Sequence, residues 1–240
     1  MKSGVTAVIN GYKRAHNVDQ IVLSLLNQTC SPEVIYIWWN DPTEFPKSRY
    51  ARFCNNIVSD ANLGVWARFT FALNSLTEFV VVFDDDTVPG HAWLENCLNN
   101  SHLGLLGTIG LIYHDNHHYM NHTRFGWANP NPDPIKVDIV GHSWFFRREW
   151  LSSYFAELQP INGFSFFGED IHFSYTLQKY CSIPTYVPPH PPNDWQKWGS
   201  VNGWLGQDSH ALSMHPNAAS KWDVPFHHYL KKGFRLIHDS

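Results

Sequence analysis

Three adjacent carboxylates, Asp84, Asp85 and Asp86, follow directly on the apolar run Phe79-Val80-Val81-Val82-Phe83. Five residues of this kind, mostly β-branched or aromatic, read as a strand buried on both faces. The end of that strand therefore gathers like charges at one point, which is unfavourable unless a cation neutralises them. Side chains alternate along a strand, so Asp84 and Asp86 point one way and Asp85 the other. Two carboxylates on one side suit a hard divalent ion, Mg²⁺ or Mn²⁺, whose remaining positions go to water and phosphate oxygens. Asp84 and Asp86 are thus the expected metal ligands. The plainer account is an acidic loop before the next helix, which the turn Thr87-Val88-Pro89-Gly90 predicts to start near His91.

Other polar residues fall where apolar runs end. Arg14, Asn40, Asp41, Asn62 and Arg68 are expected at neighbouring strand ends, where an arginine's planar fork suits a diphosphate. Each alone reads equally well as a turn or surface residue, and Asn40-Asp41-Pro42 is a good turn signal. Glu169 and Asp170 open a predicted helix, Ile171–Tyr180, whose dipole favours negative charge there. The chemical alternative is that one of them faces an acceptor hydroxyl as a general base, with Asp170 preferred over Glu169.

The elements needed to position these residues alternate in type. Val5–Asn10, Val34–Trp39, Asn55–Ser59 and Phe79–Phe83 read as strands, with helices over Val18–Asn27 and Gly64–Ser75. That order implies a parallel sheet with right-handed crossovers, whose ligands bind beyond the carboxyl ends of the strands. The second half is less regular. Thr108–Tyr113, Lys136–Val140 continued by Trp144–Phe146, and Thr185–Val187 read as strands, and Arg148–Phe155 as a short helix. A His/Asn/Pro-rich stretch from His114 to Pro134 reads as irregular. The chain divides into a 1–100 half that binds the donor, a 101–190 half for acceptor and catalysis, and a 191–240 flap or extension, all within one α/β domain.

Composition narrows the classes. A net charge of −4 and the lack of a long basic run argue against nucleic acid as a partner. The four cysteines show no metal or redox spacing and read as reduced thiols, which fits a cytoplasmic protein. No transmembrane segment is expected, and a Golgi-lumenal location would require an anchor outside this chain. Trp195, Trp198 and Trp204 sit in a Gly/Asn/Pro-rich context and serve either as sugar platforms or as anchors of the tail.

Four segments occur in the order expected of GT-A glycosyltransferases: Thr6–Arg14, Trp39-Asn40-Asp41, Asn62-Leu63-Gly64 with Arg68, and Val82–Thr87. The later stretches Val140–Phe146 and Gly168-Glu169-Asp170-Ile171 resemble the C-terminal catalytic domain of the exostosin family, glycosyltransferase family 64. Asn62-Leu63-Gly64 is more similar to the broad family 2 pattern. The resemblance covers about residues 5 to 190. It implies a Rossmann-like, mostly parallel GT-A (nucleotide-diphospho-sugar transferase) fold and a metal-dependent enzyme using Mn²⁺ or Mg²⁺. The donor would be a nucleotide-sugar, a UDP-sugar first, and the acceptor a glycan or other hydroxyl compound. A hexosyl- or N-acetylhexosaminyltransferase is implied. Asp86 would ligate the metal, and Asp84 or Asp85 would contact the ribose or the ion's waters. Arg14, Asn40, Asp41, Asn62 and Arg68 would hold base, ribose and phosphates. His190 would complete the metal shell, with His215, His227 and His228 as rivals. The two resemblances imply opposite stereochemical outcomes, so retention and inversion both stand. Two other classes compete: a nucleotidyltransferase that makes nucleotide-sugars, and a non-catalytic carbohydrate-binding protein. The first usually carries a glycine-rich loop after its first strand, where Asn10–Arg14 has one glycine.

Overall fold

The computed structural model describes residues 2–127, 129–157, 167–214 and 216–239. Lys2–Gly11 (β1), Val34–Trp39 (β2), Asn55–Val58 (β3) and Thr77–Asp84 (β4) are parallel, in the order β3-β2-β1-β4. Alternation explains why the two central strands are apolar throughout. Ala7, Ile9, Val81 and Phe83 join one core with Val18, Ile21 and Leu25 of helix α1 (Ala15–Leu26). The opposite faces, through Val8, Val80 and Val82, join a second core with Phe69 and Ala72 of α2 (Ala67–Ala72). Helix α3 (Trp93–Asn100) covers the first face with Trp93 and Leu94.

The second half docks through β8 (Ile139–Arg147), which is antiparallel both to β4 and to β5 (Leu105–Tyr113). Strand β5 also pairs with β6 (His122–Gly126) and β9 (Thr185–Val187), and β9 pairs with β7 (Ile135–Val137). The α/β architecture is as expected, with helices on both faces of the sheet. A short helix α4 (Leu151–Tyr154) and the longer α5 (Glu169–Cys181) complete the second face.

Three features depart from the sequence reading. Strand β6 lies within the stretch expected to be irregular. The expected single strand from residue 136 is two, β7 and β8, divided at Asp138, whose carboxylate accepts the Tyr113 and Ile237 N–H groups. The tail also divides. Ala218–Lys231 forms a helix, α6, that buries Phe226 and Tyr229 with Tyr113, Ile171 and Tyr175 in a third core. Gly203–Gly206 and Leu212–Met214 instead form 3₁₀ turns, the first across the carboxyl ends of the parallel strands, where Asn17 Nδ2 donates to Leu205 O at 3.4 Å. Among the described residues no helix is long and apolar enough to cross a membrane. The four cysteines are unpaired.

One irregularity in the ladder bears on the site. Between the pairs Gly107–Trp144 and Ile109–Gly141, β5 advances two residues and β8 three. The extra residue makes a bulge, and His142 within it has φ 64°. A bulge of this kind re-aims a side chain.

Candidate active site

The strand ends open onto a cleft of about 810 Å³. Of the described residues singled out in the sequence as catalytic, donor-binding or metal-binding, all line it but Asp41, His190 and the rival histidines. Two arginines organise its charge. Arg14 Nη1 donates to Asp85 Oδ1 at 2.8 Å and to Asp86 Oδ2 at 3.2 Å. Its other edge grips Asp208 with two bonds, Nε to Oδ2 at 2.8 Å and Nη2 to Oδ1 at 2.7 Å. Burial opposes the charge on Arg14, but Asp208, Asp85 and Asp86 outweigh it and hold the guanidinium above its ordinary pKa. Arg68, 1% exposed, bridges Asp84 and Glu169 and lies 4.3 Å from the centroid of the Trp144 ring.

Five carboxylates therefore meet two guanidiniums. Burial and mutual repulsion hold these acids above their ordinary pKa values. Burial, only partly offset by Arg68, pushes Glu169 up to about 8. Burial likewise pushes Asp85 up to about 7 against the pull of Arg14. Asp84, partly open to the cleft, is raised in the same direction by burial against Arg68.

His142 supplies the missing donor type. Its Nδ1 lies 3.8 Å from Asp86 Oδ1, and ligand atoms of Asp84, Asp86 and His142 all lie within 4.8 Å of one another. Two carboxylates with an imidazole and an excess of negative charge fit a divalent ion, and imidazole favours Mn²⁺ over Mg²⁺. The tail closes over this point. A Cβ on Gly206 would stand 2.1 Å from Asp86 Oδ2, so only glycine allows the approach.

The structure does not bring His190 to the carboxylates. It is fully buried between Trp93 and Trp198. Its Nδ1 bonds Pro188 O at 2.8 Å, and its Nε2 accepts the Gly199 N–H at 3.1 Å. Both nitrogens are used by the neutral ring, and burial lowers its pKa to about 4. Asp41 also stays outside the cleft. Its Oδ1 accepts the Thr43 N–H at 2.9 Å and the Thr43 hydroxyl at 2.6 Å, closing a turn. Among the rival histidines, His227 Nε2 bonds His117 O at 2.7 Å, and His228 lies on α6 beside it. His215 lies outside the described residues.

The asparagines hold loops. Asn40 is buried, donating to Asn10 Oδ1 at 3.0 Å and Gly64 O at 3.1 Å, and accepting from Leu63 N–H at 3.1 Å. Asn62 Oδ1 caps Gly64 N–H at 2.9 Å. Asp85 does similar work for the first turn, taking the Tyr12 N–H at 2.6 Å.

At the start of α5 the two acids differ. Glu169 is bound to Arg68. Asp170 uses Oδ1 for the Ile171 N–H at 2.7 Å, while Oδ2 meets the Tyr119 hydroxyl at 3.3 Å. Burial raises Asp170 to about 6, against the Ile171 bond. Gly168 ahead of them has φ 92° and packs where a Cβ would come within 2.5 Å of Pro225. That contact ties the start of α5 to the tail helix α6.

Sequence reasoning missed His142 as a candidate ligand, Asp208, and the aromatic wall of Tyr119, Trp127, Phe167 and Trp222. His142 falls within the Val140–Phe146 stretch likened above to the exostosin domain. Its signal lies in the Gly141-His142 step before an apolar strand, which marks a bulge only once the register is known. Trp195 and Trp198 stack on each other at 4.7 Å outside the cleft, and the Trp198 indole N–H donates to Pro191 O, so they anchor the tail. The Trp204 side chain lies outside the described residues.

The chain matches no protein-family profile, and no curated protein matches it in sequence. Solved structures do match. The S. aureus TarS 1-349 crystal structure aligns with TM-score 0.52 at 16% identity, covering 79% of this chain and 60% of that one. TarS 1-349 in complex with UDP-GlcNAc gives 0.52 at 15%, over 82% of this chain and 60% of that one. The mannosyltransferase PcManGT from Pyrobaculum calidifontis, in complex with GDP-Man and Mn²⁺, gives 0.51 at 16%, over 95% and 70%. The fold is that of these glycosyltransferases. The chain spans about 60% of the length of the TarS structure. These neighbours do not include the exostosin domain to which the second-half motifs were likened.

Proposed function

We propose that the chain is a metal-dependent glycosyltransferase that moves a hexosyl or N-acetylhexosaminyl group from a nucleotide diphosphate donor to a hydroxyl acceptor. UDP is the first nucleotide to test. The observation that carries this reading is the Asp84–Asp86–His142 trio at the end of β4, with Arg14 beside it, in the fold shared with donor-bound glycosyltransferases. The ion would be held by Asp84, Asp86 and His142. When bound, it would offset the charge of the leaving diphosphate.

The chain's own residues supply the rest. Arg14 offers a guanidinium at the same point, and its outer edge reaches phosphate oxygens once Asp208 yields it. Asn40 and Asn62 shape the 62–64 loop that faces the donor. Asp170 is the general base: Oδ2 faces the cleft and takes the proton of the acceptor hydroxyl. Glu169, fixed by Arg68, is a positioning residue that holds the start of α5 against β4. A carboxylate base on the acceptor side fits direct displacement with inversion.

Thermal unfolding with UDP, GDP, CDP or dTDP, each with and without Mn²⁺, tests this on wild type and Asp86→Ala. Ligand at about a hundred times its Kd stabilises by roughly 2.7 kcal/mol. That is a shift of about 5–11 °C for a chain of this size. One nucleotide should stabilise only with metal, and Asp86→Ala should abolish the effect. A free glycan that stabilises where no nucleotide does would overturn the reading in favour of a binding module.

A further inference from the structure

The arginines of the cleft are not equivalent. Arg14 and Arg68 each carry at least two carboxylates, whereas Arg124 has no acidic partner among the described residues. It sits on the edge strand β6, opposite Leu111 of β5, and lines the cleft at the end away from β1 and β2. Its guanidinium lies 5.1 Å from the Trp127 ring centroid, and its Nε is buried without a hydrogen-bond partner.

A second cation stands in the same part of the cleft. Lys221 of α6 lines it with its Nζ 5.9 Å from the Phe167 ring, and forms no ion pair among the described residues. Between these cations and Asp170 stands Tyr119. Its hydroxyl meets Asp170 Oδ2, and its ring stacks on Trp222 at 5.5 Å and 16°.

Burying the Nε of a half-buried guanidinium with no anion beside it is unfavourable. Burial holds Arg124 below its ordinary pKa, with no carboxylate acting on it. A flat guanidinium resting on an indole keeps its edge free for two parallel bonds to an oxyanion. Trp222, half-buried in the cleft wall and backed by Tyr119, offers a surface for a sugar ring. The donor diphosphate belongs at the other end of the cleft, with Arg14 and the acids of β4.

We propose that the acceptor is an anionic carbohydrate, carrying a carboxylate or phosphate ester that Arg124 binds while its hydroxyl faces Asp170. This rests on the glycosyltransferase reading for the role of acceptor, but not for the binding of the anion. Lys221 adds charge at the rim, and Trp222, backed by the buried Tyr119, carries the sugar ring.

The test uses the full chain and three small probes: methyl β-glucuronide, glucose 6-phosphate, and methyl β-glucoside as the neutral control. Binding is read at the Arg124 Nε–H resonance by ¹H–¹⁵N NMR, assigned with Arg124→Gln, in the presence of UDP and Mn²⁺. At least one anionic probe should bind about tenfold or more tightly than the glucoside and move that resonance. Thermal shift on the variants should show the preference lost in Arg124→Gln and partly kept in Arg124→Lys. The stronger of the two anionic probes tells carboxylate from phosphate. Equal binding of all three probes, or a preference unchanged in Arg124→Gln, overturns the proposal. The nucleotide-dependent shift of the wild type is measured alongside. If it is absent while the anion still binds at Arg124, the glycosyltransferase reading falls and the anion site stands.

Discussion

Arg68 gives the sharpest test of how the cleft is held together. It is 1% exposed and bridges Asp84 on β4 to Glu169 on α5, so Arg68→Met removes a cation from between two carboxylates while keeping bulk over Trp144. Breaking a buried pair in this way costs about 3–5 kcal/mol. Glu169, with 11% of its side chain exposed, carries most of it, since Asp84 at 28% can turn to solvent. The loss corresponds to a Tm drop of about 6–20 °C. The sign of its pH dependence follows from Glu169, whose folded pKa is raised to about 8 from an ordinary 4.5. The folded state binds the proton more tightly, so the stability from this group is full below 4.5 and is lost as pH rises through 8. Below pH 8 the carboxyl is neutral in both folded proteins and the ionic part of the Arg68→Met deficit is small. It opens as pH rises through and above 8, where Glu169 ionises beside Arg68 in the wild type but not in the variant, whose carboxyl has lost the cation that lowered its pKa. Urea and thermal unfolding of metal-free protein at pH 6.5, 8 and 9.5 measure this directly. Adding Glu169→Gln to Arg68→Met should recover much of the loss at pH 9.5. A deficit independent of pH, or additive losses in the double variant, would refute the ion-pair reasoning and leave only a packing role for Arg68.

Asp170→Asn should lower the transfer rate by about 10²–10⁴ without changing metal-dependent nucleotide binding. The wild-type rate should rise with pH and level off above about 6, because the base works deprotonated. A flat profile between pH 5 and 7.5 would remove Asp170 from the role. His142→Ala should weaken Mn²⁺ binding and narrow its advantage over Mg²⁺, as isothermal titration can show. His190→Ala should do the reverse, leaving Mn²⁺ affinity intact. It should destabilise the fold by about 2–4 kcal/mol, through the cavity between Trp93 and Trp198 and the orphaned Gly199 N–H. Loss of metal affinity in His190→Ala with unaltered stability would reverse that assignment.

The parts of the molecule legible in the sequence are those governed by short-range pattern. Phe79–Phe83 reads as a strand covered on both faces because it is one, and the acids that follow it stand at the strand end for the same reason. His142 was not legible as a ligand because its direction comes from a bulge in the pairing of β5 with β8, a property of two strands and not of one. Asp208 reaches Arg14 across 194 residues, a separation for which no local pattern exists. With 15 histidines in the chain, position after a strand was a weak guide, and His190 turned out to be spent on Pro188 and Gly199. Helix α6 was hidden by Pro225 in its middle, which argues locally against a helix, while burial of Phe226 and Tyr229 argues for it globally. Strand β6 carries His122, Thr123 and Arg124, too polar for the alternation expected of a half-buried strand.

The long reach of the site's contacts has a consequence for how the protein is made. Arg14 meets Asp85 across 71 residues and Asp208 across 194, and Arg68 meets Glu169 across 101. During synthesis the parallel sheet from β1 to β4 is complete by residue 84, but the charge network at its rim is not. A nascent chain therefore holds its acids and Arg68 together without Glu169 through much of its elongation. Closure of the rim by Asp208 waits for the last part of the chain. The rim of the cleft is thus completed only once residue 208 has been made, so its closure reports the arrival of the tail as well as the integrity of the sheet.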